Sequence, residues 1–306
     1  MTRHFLALSD HTRTELEALL DLALKLKQER ARKGNPPLLK GKVLAMVFQK
    51  PSLRTRVSFD MAMRHLGGDA LYLSPDEIGL GKREAIADVS RVLSGYVDAV
   101  MARVFAHEHI LELARHSSVP VINGLSDYNH PCQGLADALT IREAFGRNEG
   151  VRVVFVGDGN NVALSLMYAS ALLGMHFTLA SPEGYDLPAD DVGRAEAVAA
   201  RHGATVRCVR DPQQAVRGAQ VLYTDTWTSM GQEAEAQARA RVFPPYQVNA
   251  ALVAAADAQA IVMHCLPAHR GQEITDEVAD GPHSRLFPQA ENRLHAQKAI
   301  LVSLLT

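Results

Sequence analysis

Apolar positions along the chain fall into two kinds of run, and the two kinds alternate. Leu16, Leu19, Leu20, Ala23 and Leu26 lie on one stripe at helical spacing, which predicts a helix over residues 14–28 capped by Ser9 or Asp10. Its charged face is a solvated surface. Residues 34–37 (GNPP) break the helix, and VLAMVF at 43–48 is a short continuous apolar run, the mark of a strand buried on both faces of a parallel sheet. A helix over 53–66 follows.

The alternation then repeats. Strands are expected at 70–73, 99–104 and 119–122, with amphipathic stretches at 85–96 and 109–116 between them. Strands separated by helices imply a parallel sheet covered on both faces. A helix over 135–145 precedes GRNEG at 146–150, a hinge candidate. A second cycle opens with the β-branched run 151–156, Gly157 and a helix to about residue 173, and continues with strands at 177–180, 205–209, 221–223 and 260–264. The fold class expected is α/β, with two similar domains that are each a parallel sheet flanked by helices. The tail at 291–305 is helical in pattern, and periodicity assigns it to neither domain.

Length and composition narrow the function. The 306 residues suit two domains of about 150 each. With 32 basic against 34 acidic residues the net charge is -2, so no overall basic field exists to hold nucleic acid or an anionic membrane, and anion binding must be local. Cys132, Cys208 and Cys265 are widely spaced, with no CxxC pair, which speaks against a disulfide framework or a structural zinc and for a reducing cytoplasm. The amino-terminal stretch is broken by charges every few residues, unlike a secretory core.

The chemistry-bearing segments sit where strands end. PSLRTRVSF opens a helix after a strand, where free backbone N–H groups and the helix dipole favour an anion. Ser52 and Thr55 add hydroxyls, and Arg54 and Arg56 add guanidinium forks suited to phosphate. Ser52 as a plain cap with solvated arginines is the alternative. Arg103 closes the next strand. In NHPCQG, His130 and Gln133 stand three apart at a helix start and can face one way, His130 polarising a carbonyl and Gln133 bonding an amide; taken alone, such a histidine is more often a structural or surface one.

VGDGNNVALS suggests a dinucleotide loop, but Val162 fills the third glycine position of GxGxxG, and Asn160 and Asn161 suit a polar substrate better. Asp225 in DTWTSMG can bind an ammonium or cap a turn. Cys265 in MHCLP is either a nucleophile with His264 or His269 as base, or a buried inert thiol.

Taken together, SxRTR at 52–56, HPxQ at 130–133, DTWTSMG at 225–231 and HCLP at 264–267 resemble the transcarbamoylases nearly end to end, and the last two resemble the ornithine-using branch. The resemblance implies a carbamoyl phosphate domain over 1–146 joined by a returning terminal helix at 289–306, an ornithine domain over 147–288, no cofactor, and a homotrimer or a multiple of trimers. It implies that Ser52, Leu53, Arg54, Thr55 and Arg103 hold the phosphate, that His130, Gln133 and Arg293 address the carbamoyl group, and that Asn161, Asp225, Ser229 and Met230 hold the amino acid, with Cys265 and Leu266 at its reacting end. Catalysis is assigned to Cys265, Asp225, His130, Arg54 and Arg103. Leu53 replaces a threonine common in the motif, and Gly79 stands where relatives carry a ligand-reaching side chain, a role that Lys82 or Arg83 could take from a neighbouring subunit.

The implied reaction is attack of the ornithine side-chain amine on the carbamoyl carbon. Transcarbamoylation of lysine, putrescine or an acylated ornithine, a nicotinamide-dependent dehydrogenase and a noncatalytic amino-acid-binding protein remain as alternatives.

Overall fold

Thr12 and Glu15 form a reciprocal capping box, and from it runs α1 (Arg13–Lys33), which buries Leu16, Leu19, Leu20, Ala23 and Leu26. The cap is therefore Thr12 rather than Ser9 or Asp10, which lie in a preceding 3-10 turn. The computed structural model describes residues 2–228 and 233–306, and packing divides the chain into two compact units.

The first unit is Met1–Leu139 with Asn292–Thr306. After α1 come β1 (Val43–Phe48), α2 (Leu53–His65), β2 (Asp69–Leu73), α3 (Pro75–Ile78), α4 (Ile86–Ser94), β3 (Ala99–Arg103), α5 (His107–His116), β4 (Val121–Leu125) and α6 (Pro131–Phe145), whose later residues enter the second unit. The strands pair in parallel in the order β2-β1-β3-β4. Leu44, Ala45, Met46, Val47 and Phe48 are essentially solvent-free, as a central parallel strand requires. Each large apolar side chain so buried contributes about 1.5–3 kcal/mol.

Two boundaries differ from expectation for local reasons. β4 begins at Val121, not 119, because Pro120 has no N–H to give a ladder and only its carbonyl is used, by Val100 N–H at 2.9 Å. α6 begins at Pro131, not 135. Proline suits a first helical turn, and the His130 carbonyl accepts the N–H groups of Gln133 and Gly134.

The second unit, Thr140–Glu291, contains β5 (Arg152–Val156), α7 (Asn161–Leu173), β6 (His176–Ala180), α8 (Ala189–Arg201), β7 (Val206–Val209), α9 (Pro212–Ala215), β8 (Val221–Thr224), α10 (Ala236–Val242), α11 (Ala250–Ala254), β9 (Ile261–His264) and α12 (Asp276–Ala279). Its parallel sheet runs β7-β6-β5-β8-β9. The last helix, α13 (Leu286–Leu305), starts five residues before the expected 291. From Asn292 onward it belongs to the first unit, where Lys27 Nζ donates to Asn292 Oδ1 at 2.8 Å and Lys298 bonds Asn35. The tail that periodicity assigns to neither domain thus packs with the first unit.

Each sheet order reverses direction once, between β1 and β3 in the first and between β5 and β8 in the second. At such a switch point the connections leave to opposite sides and open a crevice beyond the carboxyl ends of the strands. The segments singled out in the sequence lie at those ends. No helix among the described residues is long and apolar enough to cross a membrane.

Candidate active site

In the first unit, Phe48 pairs with Arg103 in register, and Gln49 N–H bonds the Arg103 carbonyl at 2.8 Å, so the β1 and β3 ends are fastened together. Against β4 the register shifts between Ala102 and Arg103, so that Arg103 pairs with Leu125. Its Nη1 donates to Thr55 Oγ1 at 3.4 Å. The same hydroxyl accepts from Arg293 Nη2 at 2.8 Å, and Arg293 Nη1 donates to Gln133 Oε1 at 3.2 Å. Gln133 Nε2 in turn donates to Asp137 Oδ1 at 2.8 Å, which fixes the orientation of its amide. Four expected site residues, Thr55, Arg103, Gln133 and Arg293, thus form one buried network.

Ser52 caps α2, its side chain accepting Thr55 N–H at 3.3 Å, and so does the work of the alternative reading whatever else it does. Arg54 is partly exposed on the first turn of α2, Arg56 stacks over the Tyr72 ring at 3.8 Å, and Leu53 is 75% exposed. His130 is buried. Burial first, then the charges of Arg293, Arg103 and Lys50, holds its pKa well below the ordinary imidazole value. At neutral pH it is an uncharged imidazole, able to donate one N–H to a carbonyl oxygen.

Lys50 was not among the sequence candidates. It lies between β1 and Ser52, nearly buried, with its ammonium 5.0 Å from the Phe105 ring centroid and no ion-pair partner among the described residues. Burial, then Arg103, lowers its pKa to about 8, with Asp127 opposing. The sequence carries a signal for it: a cation just past a buried strand end marks Arg103, and Lys50 follows VLAMVF in the same way. Arg103, Arg293 and Lys50 bring three cations to this crevice, which suits it to an anion.

The loop after β2 departs from the implied pattern. Gly79 takes a left-handed conformation, φ 50°, as the C-cap of α3, and Arg83 Nη1 is committed to the Glu77 carbonyl at 3.0 Å. Lys82 is exposed.

In the second unit the strand ends carry a different chemistry. Asp225, just past β8, accepts from Cys265 Sγ at 3.0 Å and from Thr226 N–H at 2.8 Å on Oδ1, and from Asn160 Nδ2 at 2.8 Å on Oδ2. Asn160 Oδ1 meanwhile accepts the N–H groups of Val162 and Ala163 at 3.0 Å, capping α7. One asparagine therefore ties the helix start to the carboxylate. Asn161 begins α7 beside it, partly exposed.

His264 faces inward with both ring nitrogens engaged. Leu266 N–H donates to its Nδ1 at 2.9 Å, so the proton sits on Nε2, which meets Glu273 Oε1 at 3.0 Å. This bond holds the turn in which Leu266 takes φ 59°, a strained value for leucine, ahead of a cis bond to Pro267.

That geometry removes His264 as a base for a Cys265 nucleophile, because both of its ring nitrogens are engaged and Cys265 donates to a carboxylate. It also disarms a metal reading. Donor atoms of Asp225, His264 and Cys265 lie within 4.8 Å of one another, but the imidazole has none to offer. The dinucleotide alternative weakens too: a side chain at Gly159 would meet the backbone of Asp186 and Leu187 at 2.6 Å, so packing alone requires that glycine, and Asn160 occupies N–H groups a phosphate would need. Ser229 and Met230 lie outside the described residues.

The first crevice can hold a compact anion with a polarisable carbonyl. The second offers a buried carboxylate to an ammonium.

Comparison with known proteins gives the same division. Residues 3–143 match the family model for the carbamoyl-P binding domain of aspartate/ornithine carbamoyltransferase, and 149–304 match its Asp/Orn binding domain. The ornithine carbamoyltransferase of Anoxybacillus flavithermus is 52% identical over 303 residues, 99% of this chain and 96% of that protein. The anabolic ornithine carbamoyltransferase of Pyrococcus furiosus is 54% identical over 300 residues, covering 98% and 95%. A solved structure of ornithine carbamoyltransferase from Pyrococcus furiosus superposes with a TM-score of 0.95, at 54% identity, over 98% of this chain and 96% of that one.

Proposed function

We infer that this chain, which belongs to the aspartate/ornithine carbamoyltransferase family, is an ornithine carbamoyltransferase. It transfers the carbamoyl group of carbamoyl phosphate to the side-chain amine of L-ornithine, giving L-citrulline and phosphate, within arginine biosynthesis. The observation that carries the acceptor half is the Asp225–Cys265 pair at the ends of β8 and β9, within the stretch that matches the Asp/Orn binding domain.

The roles follow from the chemistry of each group. Carbamoyl phosphate is held by residues of the domain spanning 1–146 with 289–306. Ser52, Leu53, Arg54, Thr55 and Arg103 bind its phosphate, with Lys50 adding charge beneath. Neutral His130 donates to the carbonyl oxygen, and Gln133 and Arg293 address the carbamoyl amide and oxygen. These donors stabilise the negative charge that grows on the carbonyl and the leaving phosphate, the usual dominant contribution at such a site.

Ornithine is held by the domain spanning 147–288. Asn161, Asp225, Ser229 and Met230 bind it, with Cys265 and Leu266 at the reacting end. An amine with pKa ~10.4 costs roughly 4.6 kcal/mol to present neutral at pH 7, so the proton must be managed. Asp225 attracts the ammonium and with Cys265 steers the proton away as nitrogen attacks carbon and the C–O bond to phosphate breaks. The reaction balances without a cofactor.

A homotrimer, or a multiple of trimers, is the expected assembly. Leu53, Val57 and Leu71, at 75%, 49% and 49% exposure around α2 and the edge strand β2, give it an apolar surface to cover. The thiols of Cys132, Cys208 and Cys265, none of them joined in a disulfide among the described residues, support a place in the cytoplasm. The test is stoichiometry: purified protein given carbamoyl phosphate and ornithine should release citrulline and phosphate one for one, and phosphate without citrulline would reject the reading.

A further inference from the structure

β9 is an edge strand, so only one of its two sides pairs with a neighbouring strand, β8. Its other side is finished by the chain that follows. Val262 N–H donates to the His283 carbonyl at 2.8 Å, and the Val262 carbonyl accepts from Arg285 N–H at 2.8 Å. The next outward N–H, that of His264 two residues on, donates to a side chain instead, Gln289 Oε1 at 2.8 Å.

Gln289 stands in the first turn of α13 and is fully buried. Its Nε2 donates to the Tyr223 hydroxyl at 2.9 Å, and the buried Tyr223 ring stacks on Phe155 of β5 with centroids 5.2 Å apart. One amide therefore joins β8 to β9 and, through the ring stack, to β5. Its two anchors adjoin the reacting pair. Tyr223 is two residues before Asp225, His264 is the residue before Cys265, and Asp225 and Cys265 meet at 3.0 Å. The bridge suits an amide, which accepts at one atom and donates at the other.

We propose that Gln289 is a positioning residue for the transfer reaction: by holding the His264 N–H and the Tyr223 hydroxyl together it fixes where Asp225 and Cys265 meet the amine of the acceptor. It acts through the two strands rather than on substrate. A displacement of about 1 Å at a reacting group costs roughly a hundredfold in rate, so a bridge that locks both strands bears directly on turnover. The inference rests on the reading of Asp225 and Cys265 as the amine-handling pair.

The test compares four variants with the wild-type enzyme by kcat and KM for ornithine and for carbamoyl phosphate, together with melting temperature. Gln289→Met, of similar length, deletes both bonds and leaves the His264 N–H buried without its acceptor. Gln289→Glu keeps an acceptor for that N–H, and the Tyr223 hydroxyl can turn to donate to its second oxygen. Tyr223→Phe keeps the ring stack and removes one arm of the bridge. Asp211→Ala is the control for mere loss of stability in the same unit, since Asp211 caps α9 beyond the opposite edge strand, β7.

Gln289→Met should lower kcat/KM for ornithine about tenfold to a hundredfold with the carbamoyl phosphate KM held within about twofold, the mark of a displaced acceptor group. Gln289→Glu should stay within about threefold of wild type, and Tyr223→Phe should lower kcat/KM for ornithine about threefold. Asp211→Ala should lower the melting temperature and leave both sets of constants as they are. Wild-type ornithine kinetics in Gln289→Met, or in Tyr223→Phe should the first variant not fold, would overturn the proposal. So would a carbamoyl phosphate KM that rises in step with lost stability, or a Gln289→Glu no better than Gln289→Met. A wild-type enzyme that forms no citrulline would instead overturn the underlying reading.

Discussion

Thr55 and Arg293 are 238 positions apart in the chain, and the Thr55 hydroxyl accepts a 2.8 Å bond from the Arg293 guanidinium. The terminal helix thereby supplies a cation to a crevice framed by β1 and β3. Arg103 shares the same hydroxyl, so one buried threonine holds two arginines in place.

Thr55→Val, of nearly equal volume, leaves two buried guanidinium N–H groups without their acceptor, a loss of about 1.5–3 kcal/mol. The carbamoyl phosphate KM should rise about tenfold or more with the ornithine KM little changed, and Thr55→Ser should restore most of the loss. Steady-state kinetics check this, and wild-type constants in Thr55→Val would contradict it.

Lys50 links the same crevice to pH. Its folded pKa of about 8 lies below the unfolded lysine value, so between the two the unfolded chain holds more protons and the free protein gains stability as pH rises. The buried Lys298, also near 8, pulls the same way. Lys50→Met should therefore raise the melting temperature of the free protein at pH 7 and reduce the further rise caused by inorganic phosphate. Lys298→Met should raise the first and leave the second intact. Equal phosphate gains in Lys50→Met and wild type would contradict the anion role.

His264 is a brace rather than a base. His264→Asn keeps an acceptor within reach of the Leu266 N–H and removes any general base, whereas His264→Ala removes both. The asparagine variant should keep turnover within about tenfold of wild type, and the alanine variant should lose about 1–3 kcal/mol of stability along with activity. Abolished turnover in a fully folded His264→Asn would restore the base.

Cys265 donates to Asp225, so Cys265→Ser preserves the bond and Cys265→Ala deletes it. Alanine should weaken ornithine use while carbamoyl phosphate binding, followed by calorimetry with inorganic phosphate as the probe, stays as it was. Unchanged ornithine kinetics in Cys265→Ala would count against the proton-steering role.

The alternation of strands and helices was legible because parallel strands buried on both faces leave apolar runs such as VLAMVF that polar pattern cannot disguise. Thr55 and Arg103 were legible as residues at strand ends, but not as partners. Their hydroxyl–guanidinium bond depends on Arg293, which returns from the far end of the chain. The Thr55 oxygen accepts from both arginines, and its O–H stays a donor for phosphate. Asn160 was grouped with Asn161 as a substrate contact, yet its amide is spent on a helix cap and a carboxylate. Lys50 shares with Arg103 the mark of a cation just past a buried strand end, but its burial against the Phe105 ring comes only from the fold.

The acceptor choice is tested most directly by supplying carbamoyl phosphate with L-ornithine, L-aspartate, L-lysine, putrescine and acetylated L-ornithine in parallel, and measuring kcat/KM for ureido product from each. An ornithine carbamoyltransferase gives L-ornithine a preference of about tenfold or more over lysine and putrescine, the discrimination one methylene or a missing carboxylate permits, with aspartate inert. A higher kcat/KM for any other amine, or no ureido product from ornithine, contradicts it.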